Sequence, residues 1–158
     1  GNHILDVIVD RYAAECALCD IEFCFDIKEN NLRNLDYFDI VTVLNNLLDN
    51  AVEASKKASS RHVSIATSYR NNFSIIVITN SCAAPPEFSS SGELKTTKEN
   101  SKLHGFGLKS VKNALKKYDG DISLEYSQEK GEFIATVMLD SRITPDSPSG
   151  SQPAPEKR

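Results

Sequence analysis

The first part of the chain changes from helical to strand spacing of its apolar positions. From about Asn2 to Cys19, apolar residues recur every three or four positions, which predicts an amphipathic helix. Its apolar face consists of Ile4, Leu5, Ile8, Tyr12, Ala13, Cys16 and Ala17. A strict alternation from Ile21 to Ile27 predicts a half-buried strand. The Asn-rich stretch from Lys28 to Leu35 predicts a loop.

A second helical pattern begins with Asp36 or Asp39 as its cap, runs to about Ala58 and carries two asparagines among its apolar residues. Asn46 and Asn50 are four residues apart, and four helical steps turn the chain by about 400°, so the two carboxamides lie on one face. Asn is a poor helix former, so helix propensity does not explain them. The Asn50 oxygen can bind Mg²⁺, with Asn46 supporting a metal-bound water or a phosphate oxygen. A solvated polar face accounts for the spacing equally well.

Two strand patterns and a long aperiodic stretch follow. The runs Val63–Tyr69 and Phe73–Thr79 flank Asn71-Asn72, which predicts a hairpin. From Asn80 to about Leu103 the periodicity is lost, and this predicts a long loop. Its position before a helix that opens with glycines favours a lid over a bound nucleotide, and an idle surface insertion is the alternative.

The third helical pattern opens with two glycines. It runs from His104-Gly105-Phe106-Gly107-Leu108 to Tyr118 and stops at Asp119-Gly120. Glycines at a helix start leave backbone N–H groups open to close approach, and the helix dipole adds positive potential, so this start suits a phosphate. An ordinary glycine turn before a helix is the alternative. Asp121–Tyr126 and Glu132–Leu139 then predict another hairpin.

The order of these elements predicts the fold class. Helices that alternate with antiparallel hairpins favour an α/β protein, a two-layer sandwich of about three helices on one face of a mixed, mostly antiparallel sheet of about five strands. Residues 1–140 are predicted to form one domain, with a lid at about residues 81–103. Residues 141–158 are rich in Pro, Ser and Gly and predict a disordered tail.

Composition excludes some classes of function. The formal net charge of −4 and pI of about 5.4, with charges of both signs interspersed, give no basic surface for nucleic acid. No apolar run is long enough to span a bilayer. Cys16 and Cys19 have the spacing of a zinc half-site, but no second pair exists among the four cysteines, so we expect reduced thiols.

Two boxes carry a resemblance to a known family. The run from Asn46 to Ala54 resembles the N-box of the ATP-binding superfamily shared by gyrase, Hsp90, sensor histidine kinases and MutL, and the run from His104 to Val111 resembles its second glycine box. In order and separation they most resemble the catalytic ATP-binding domain of sensor histidine kinases, in particular peptide-quorum-sensing receptor kinases of Gram-positive bacteria. The segment from Leu94 to Lys98 is similar to that group's lid. The resemblance covers roughly residues 1–140 and implies a Bergerat-type fold.

The resemblance also implies ligands and roles. Asn50 would ligate Mg²⁺ that bridges the ATP phosphates, and Asn46 would occupy the catalytic position where gyrase-like ATPases keep a general-base Glu. A carboxamide cannot take a proton from water, which suits a kinase better than an ATPase. The backbone of Gly105, Phe106 and Gly107 would meet the phosphates, with Leu108 at the head of the helix. The lid candidates for phosphate contacts are Thr97, Lys98 and His104.

One part of the sequence departs from the family pattern. After the strand that ends at Thr79, the family usually has an Asp-x-Gly-x-Gly box whose Asp accepts a hydrogen bond from the adenine amino group. This chain has Asn80-Ser81-Cys82-Ala83-Ala84. The Asn80 oxygen can accept the same bond without charge assistance, and the missing glycines remove close backbone approach. We therefore expect weakened adenine binding.

The implied function places the chain in two-component signalling. The resemblance implies the cytoplasmic catalytic domain of a multi-pass membrane receptor, which is monomeric when isolated and transfers the ATP γ-phosphoryl to a histidine on an upstream dimerisation domain. A response regulator would be the next partner. None of His3, His62 and His104 has the surroundings expected of the acceptor. The alternatives are a serine kinase resembling anti-sigma-factor kinases, an ATPase of the same superfamily, and an interaction module that has lost nucleotide binding.

Overall fold

The computed structural model describes residues 3–84 and 101–144, with only the helical backbone of residues 101–106. Within these residues no helix is long and apolar enough to cross a membrane. The elements are helices α1 (His3–Leu18), α2 (Tyr37–Lys56) and α3 (Ser101–Lys116), a 3₁₀ helix (Glu29–Leu32) before α2, and strands β1 (Glu22–Asp26), β2 (His62–Arg70), β3 (Phe73–Ser81), β4 (Asp121–Ser127) and β5 (Glu132–Asp140).

The five strands form one mixed sheet in the order β1-β2-β3-β5-β4. Strands β1 and β2 are parallel, and the other neighbouring pairs are antiparallel. A parallel pair needs a crossover connection, which the 3₁₀ helix and α2 supply. Buried residues from all three helices join those of β2, β3 and β5 in one core, so the helices cover one face of the sheet. The predicted two-layer sandwich is confirmed.

Helix α2 is fixed by its cap and by one apolar face. The Asp36 carboxylate accepts a hydrogen bond from the Phe38 N–H at 2.8 Å, so Asp36 is the cap rather than Asp39. The helix ends at Lys56, slightly before the predicted Ala58. Its buried apolar residues are Ile40, Val43, Leu44, Leu47, Leu48, Ala51 and Val52.

The turn between β2 and β3 follows the sequence pattern, and the first helix follows it in part. Asn71 and Asn72 both have positive φ (52° and 69°), as the predicted tight turn between β2 and β3 requires. In α1 the buried residues are Leu5, Ile8, Tyr12 and Cys16. The predicted apolar face is too wide, because the helix packs on one side only and leaves Ile4 40% exposed.

Helix α3 begins earlier than the sequence pattern predicts. The helix begins at Ser101, so Gly105 and Gly107 lie inside it. A glycine costs a helix interior only about 1 kcal/mol relative to alanine, so the residues before the glycines can continue the helix. The N–H groups without an intrahelical partner are then those of the first four residues, from Ser101 onward, rather than those of the glycines.

Other boundaries also shift. Strand β3 continues to Ser81, which places Asn80 within the strand. Ser141 is 2% exposed, and its N–H donates to the Asn72 carbonyl at 2.9 Å, so packed structure continues past residue 140. Most of the predicted lid lies outside the described residues, as does the predicted tail from residue 145. The domain boundaries therefore stay predictions.

A buried polar cluster joins the start of α2 to the end of α3. The Asp39 carboxylate is buried and accepts hydrogen bonds from the Tyr118 hydroxyl at 2.7 Å and from the Lys117 ammonium at 2.9 Å. The Tyr118 oxygen in turn accepts a bond from the Asp36 N–H at 2.9 Å. Burial, and then the bond to Asp39, raises the pKa of Tyr118, so its hydroxyl stays a donor. This cluster ties one end of the α2–α3 pair.

Candidate functional site

Asn46 and Gly107 bring the two sequence boxes together. A Cβ atom placed on Gly107 would lie 3.0 Å from the Asn46 Oδ1 atom, which is tighter than most real contacts of that kind. The Asn46 Nδ2 atom donates to the Thr42 carbonyl at 2.7 Å. The amide nitrogen is thus held within α2, and the oxygen lies against α3.

The positions of these contacts show how the two helices run. The start of α2 meets the end of α3 at Asp39 and Tyr118, and the middle of α2 meets Gly107 nearer the start of α3. The helices are therefore antiparallel. Asn50, one turn beyond Asn46, lies further toward the α3 N-terminal end, where free N–H groups and the helix dipole favour anions.

The Asn50 side chain is uncommitted among the residues that the structure describes. It is half-buried, and it makes no hydrogen bond with the described residues. Its neighbour Asp49 points elsewhere, because that carboxylate accepts a bond from the Tyr12 hydroxyl of α1 at 2.6 Å. Burial, and then this bond, raises the pKa of Tyr12. Asn50 shares the helix face of Asn46, so its carboxamide is available to a ligand on the α3 side.

Asn80 is the buried polar residue at the end of β3. It is 2% exposed and lies on the same face of β3 as the core residues Ile76 and Ile78. Its Nδ2 atom donates to the Ser81 carbonyl at 2.9 Å. None of the described residues donates to Oδ1, so the side chain offers an acceptor toward the helical layer.

The end of α2 is attached to the same strand by a serine pair that sequence reasoning missed. The hydroxyls of Ser55 and Ser81 are 2.8 Å apart and both side chains are buried. The His62 N–H donates to Ser81 Oγ at 3.0 Å, and the His62 ring lies 3.0 Å from a Glu132 carboxylate oxygen. The sequence contained a signal for this contact: Ser55 follows Ala51 by one turn and so lies on the apolar, buried face of α2.

The remaining predicted residues are only partly placed. Thr97 and Lys98 lie outside the described residues, and the side chains of His104 and Phe106 are not described. Leu108 does not head the helix as predicted, because α3 starts at Ser101. Leu108 is instead 9% exposed and belongs to the core.

The donor set fits one kind of metal site. Among the described residues no group of three or more His, Cys, Asp or Glu side chains could hold a metal ion, and Cys16, Cys19, Cys24 and Cys82 are free thiols. The Asn50 oxygen remains as a single neutral ligand. Mg²⁺ commonly keeps several waters and takes its other ligands from substrate phosphates, so one carboxamide is compatible with it.

A cavity of about 200 Å³ lies apart from this site, between α1, the 3₁₀ helix and the start of α2. Leu5, Arg33 and Tyr37 are among the residues that line it, and Asn46, Asn50 and Asn80 are not. Asn46 lies against Gly107 in the N-terminal half of α3, and Asn80 lies in β3 beside Ser81, to which the end of α2 is attached.

Comparisons with known proteins identify the family of this chain. A family model described as GHKL domain matches residues 35–140, which include both boxes. The chain therefore belongs to the GHKL domain family. No curated protein matches the chain.

Solved structures share the fold. The catalytic domain of histidine kinase ThkA, in a nucleotide-free form, has a TM-score of 0.67 at 21% identity, covering 89% of this chain and 92% of that one. The mycobacterial sensor histidine kinase MprB has a TM-score of 0.58 at 18% identity, over 85% and 94%. The Acinetobacter baumannii histidine kinase AdeS has a TM-score of 0.56 at 16% identity, over 88% and 64%. At these identities the likeness establishes the fold.

Proposed function

We propose that this chain is the ATP-binding catalytic domain of a two-component sensor histidine kinase. It would transfer the ATP γ-phosphoryl to a histidine of an upstream dimerisation domain, in a membrane receptor of the quorum-sensing type that signals to a response regulator. Membership of the GHKL family and the fold shared with histidine kinase catalytic domains support this proposal. The observation that carries it is the meeting of the two boxes at Asn46 and Gly107, with the uncommitted Asn50 carboxamide beside them.

Each asparagine would have a separate task. Asn80 would accept a hydrogen bond from the adenine amino group through Oδ1, because its nitrogen is already bound to Ser81. Asn50 would hold Mg²⁺, which supplies charge neutralisation at the phosphates. Asn46 stands at the position of the ATPase base and cannot accept a proton there, so the γ-phosphoryl would be kept for the histidine acceptor.

A titration of thermal stability with nucleotide tests the proposal. A ligand at about one hundred times its dissociation constant stabilises the native state by about 2.7 kcal/mol. We expect ATP or ADP to raise the Tm by several degrees only with Mg²⁺ present, and we expect the rise to be lost in Asn50→Ala. Asn45→Ala is the matched control, because Asn45 lies on the α1 side of the same helix, 3.4 Å from the Tyr12 hydroxyl. Absence of any shift at millimolar nucleotide would refute ATP binding by this domain.

Two other functions make different predictions. The interaction module is favoured by Cys82 and Ala84, which stand where the family has glycines. It predicts no nucleotide effect on stability. A serine kinase or an ATPase of the superfamily predicts the same Mg²⁺-dependent shift in Tm. Without a histidine acceptor, the serine kinase would phosphorylate a serine of a protein substrate, and the ATPase would release free phosphate.

A further inference from the structure

The Asn46 side chain is held at its nitrogen and lies against α3 with its oxygen. Its nitrogen donates to the Thr42 carbonyl at 2.7 Å, a bond within α2 that holds the side chain in one orientation. Its oxygen lies against the Gly107 backbone, 3.0 Å from the place of a Cβ atom. The side-chain carbon atoms follow, with Cγ at 3.6 Å and Cβ at 3.8 Å from the same point. The Asn46 side chain therefore packs against α3 at Gly107 through its Cβ, Cγ and Oδ1 atoms.

The α2–α3 pair is held by different contacts at one end and in its middle. At the far end, the buried Asp39 carboxylate binds both Tyr118 and Lys117. In the middle, Asn46 contacts Gly107 sterically, beside apolar core residues of both helices such as Val43 and Ala114. On the Asn50 side, the carboxamide of Asn46 against Gly107 limits how closely the two helices can approach.

We propose that Asn46 is a positioning residue, which acts on nucleotide affinity through Gly107 and holds the first turns of α3 at the correct distance from Asn50. This inference rests on the proposed function. It assigns ligand contact to Asn50 and spacing to Asn46, although the two carboxamides are one turn apart on one face. It also predicts that a side chain at residue 107 is disfavoured by its contact with Asn46 rather than by backbone conformation.

A double-mutant cycle separates spacing from direct contact. The variants are Gly107→Ala, Asn46→Ala and the combination, with Asn50→Ala as the contact reference and Ser110→Ala, at an exposed α3 position, as the control for helix propensity. Affinity for ADP with Mg²⁺ is measured by calorimetry, and the Tm of each variant is measured without nucleotide.

We expect Gly107→Ala to weaken ADP binding by about tenfold or more, because small displacements of binding groups have large effects. Adding Asn46→Ala should restore affinity to within about threefold of Asn46→Ala alone, since the added methyl group then has room. Asn46→Ala alone should weaken binding less than Asn50→Ala. If the losses from Gly107→Ala and Asn46→Ala simply multiply, Asn46 contacts the ligand itself and the proposal is wrong.

The stability measurements decide the matter even without binding. Alanine is the better helix former, so Gly107→Ala should change the Tm more favourably in the Asn46→Ala background than in the wild type. Equal changes in both backgrounds would overturn the spacing role. If the wild type binds no nucleotide while the Tm values remain coupled, the proposed function fails and the steric role of Asn46 stands.

Discussion

Replacing Tyr118 with Phe removes one oxygen atom from the join between α2 and α3. That hydroxyl donates to the Asp39 carboxylate at 2.7 Å and accepts from the Asp36 N–H at 2.9 Å. Tyr118 is 0% exposed and Asp39 only 4%, so water cannot easily replace the lost partner. Hydrogen bonds to charged groups contribute about 1.5–3 kcal/mol and neutral ones about 0.5–1.5 kcal/mol. We expect Tyr118→Phe to lower the free energy of unfolding by about 2–4 kcal/mol.

The chain contains a matched control for this substitution. Tyr12 is also 0% exposed, and its hydroxyl donates to Asp49 of the same helix at 2.6 Å. The Asp49 side chain, however, is 53% exposed, so water can solvate it after the bond is lost. Tyr12→Phe should therefore cost about 1 kcal/mol or less. The two variants remove the same atom from equally buried rings. They differ in the exposure of the carboxylate and in the bond that the Tyr118 oxygen accepts from the Asp36 N–H.

Urea unfolding followed by circular dichroism measures both effects. A loss of 1 kcal/mol corresponds to about 2–4 °C in Tm for a domain of this size, so thermal unfolding gives a second measurement. Unchanged m-values would show that the denatured state is not the origin of the effect. If Tyr118→Phe costs no more than Tyr12→Phe, then burial of the acceptor does not determine the strength of this join.

Three further results are expected. The side chain and N–H of Arg142 lower the pKa of Asp140 to about 2, so this pair stabilises the fold above pH 4 and loses its effect as the pH falls toward 2. Between pH 4 and pH 2, the urea midpoint of Arg142→Ala should therefore change less than that of the wild type. Burial raises the pKa of the Cys16 thiol to about 11, so at pH 8 a thiol reagent should label exposed Cys24 in the native protein and Cys16 only after unfolding. Equal labelling rates of the two thiols in the native protein would contradict this. A Cβ atom on Gly120 would lie 2.6 Å from a β5 carbonyl oxygen, so Gly120→Ala should cost more than about 2 kcal/mol in urea unfolding, and a stable variant would show that the backbone adjusts easily.

The sequence predicts those features that local patterns encode. The apolar positions of α2 recur with the helical period, and Asn71-Asn72 between two alternating runs specifies a tight hairpin. The face shared by Asn46 and Asn50 follows from helical geometry alone. The GHKL family was also recognisable from the two boxes, and the quorum-sensing subgroup stays a prediction.

Tertiary contacts determine the rest, and local patterns do not contain them. Asp39 near the start of a helix suggests a cap, yet its carboxylate is bound to Tyr118, which lies just beyond the end of α3. Glycines suggest a helix start, but their cost is small enough for α3 to begin at Ser101. The attachment of Ser55 to Ser81 requires knowing that the end of α2 lies over β3.

The sheet order has a kinetic consequence. Strands β2–β3 and β4–β5 are hairpins with short loops, whereas β3 pairs with β5 across the whole segment that contains α3. Closing a long loop is slow because the chain loses conformational entropy before the new contacts between the strands can offset that loss. We therefore expect both hairpins to form early and α3 to dock on α2 only when β5 joins β3. A ligand that needs both α2 and α3 would bind only after this last step, so the time course of its binding would report completion of folding rather than collapse.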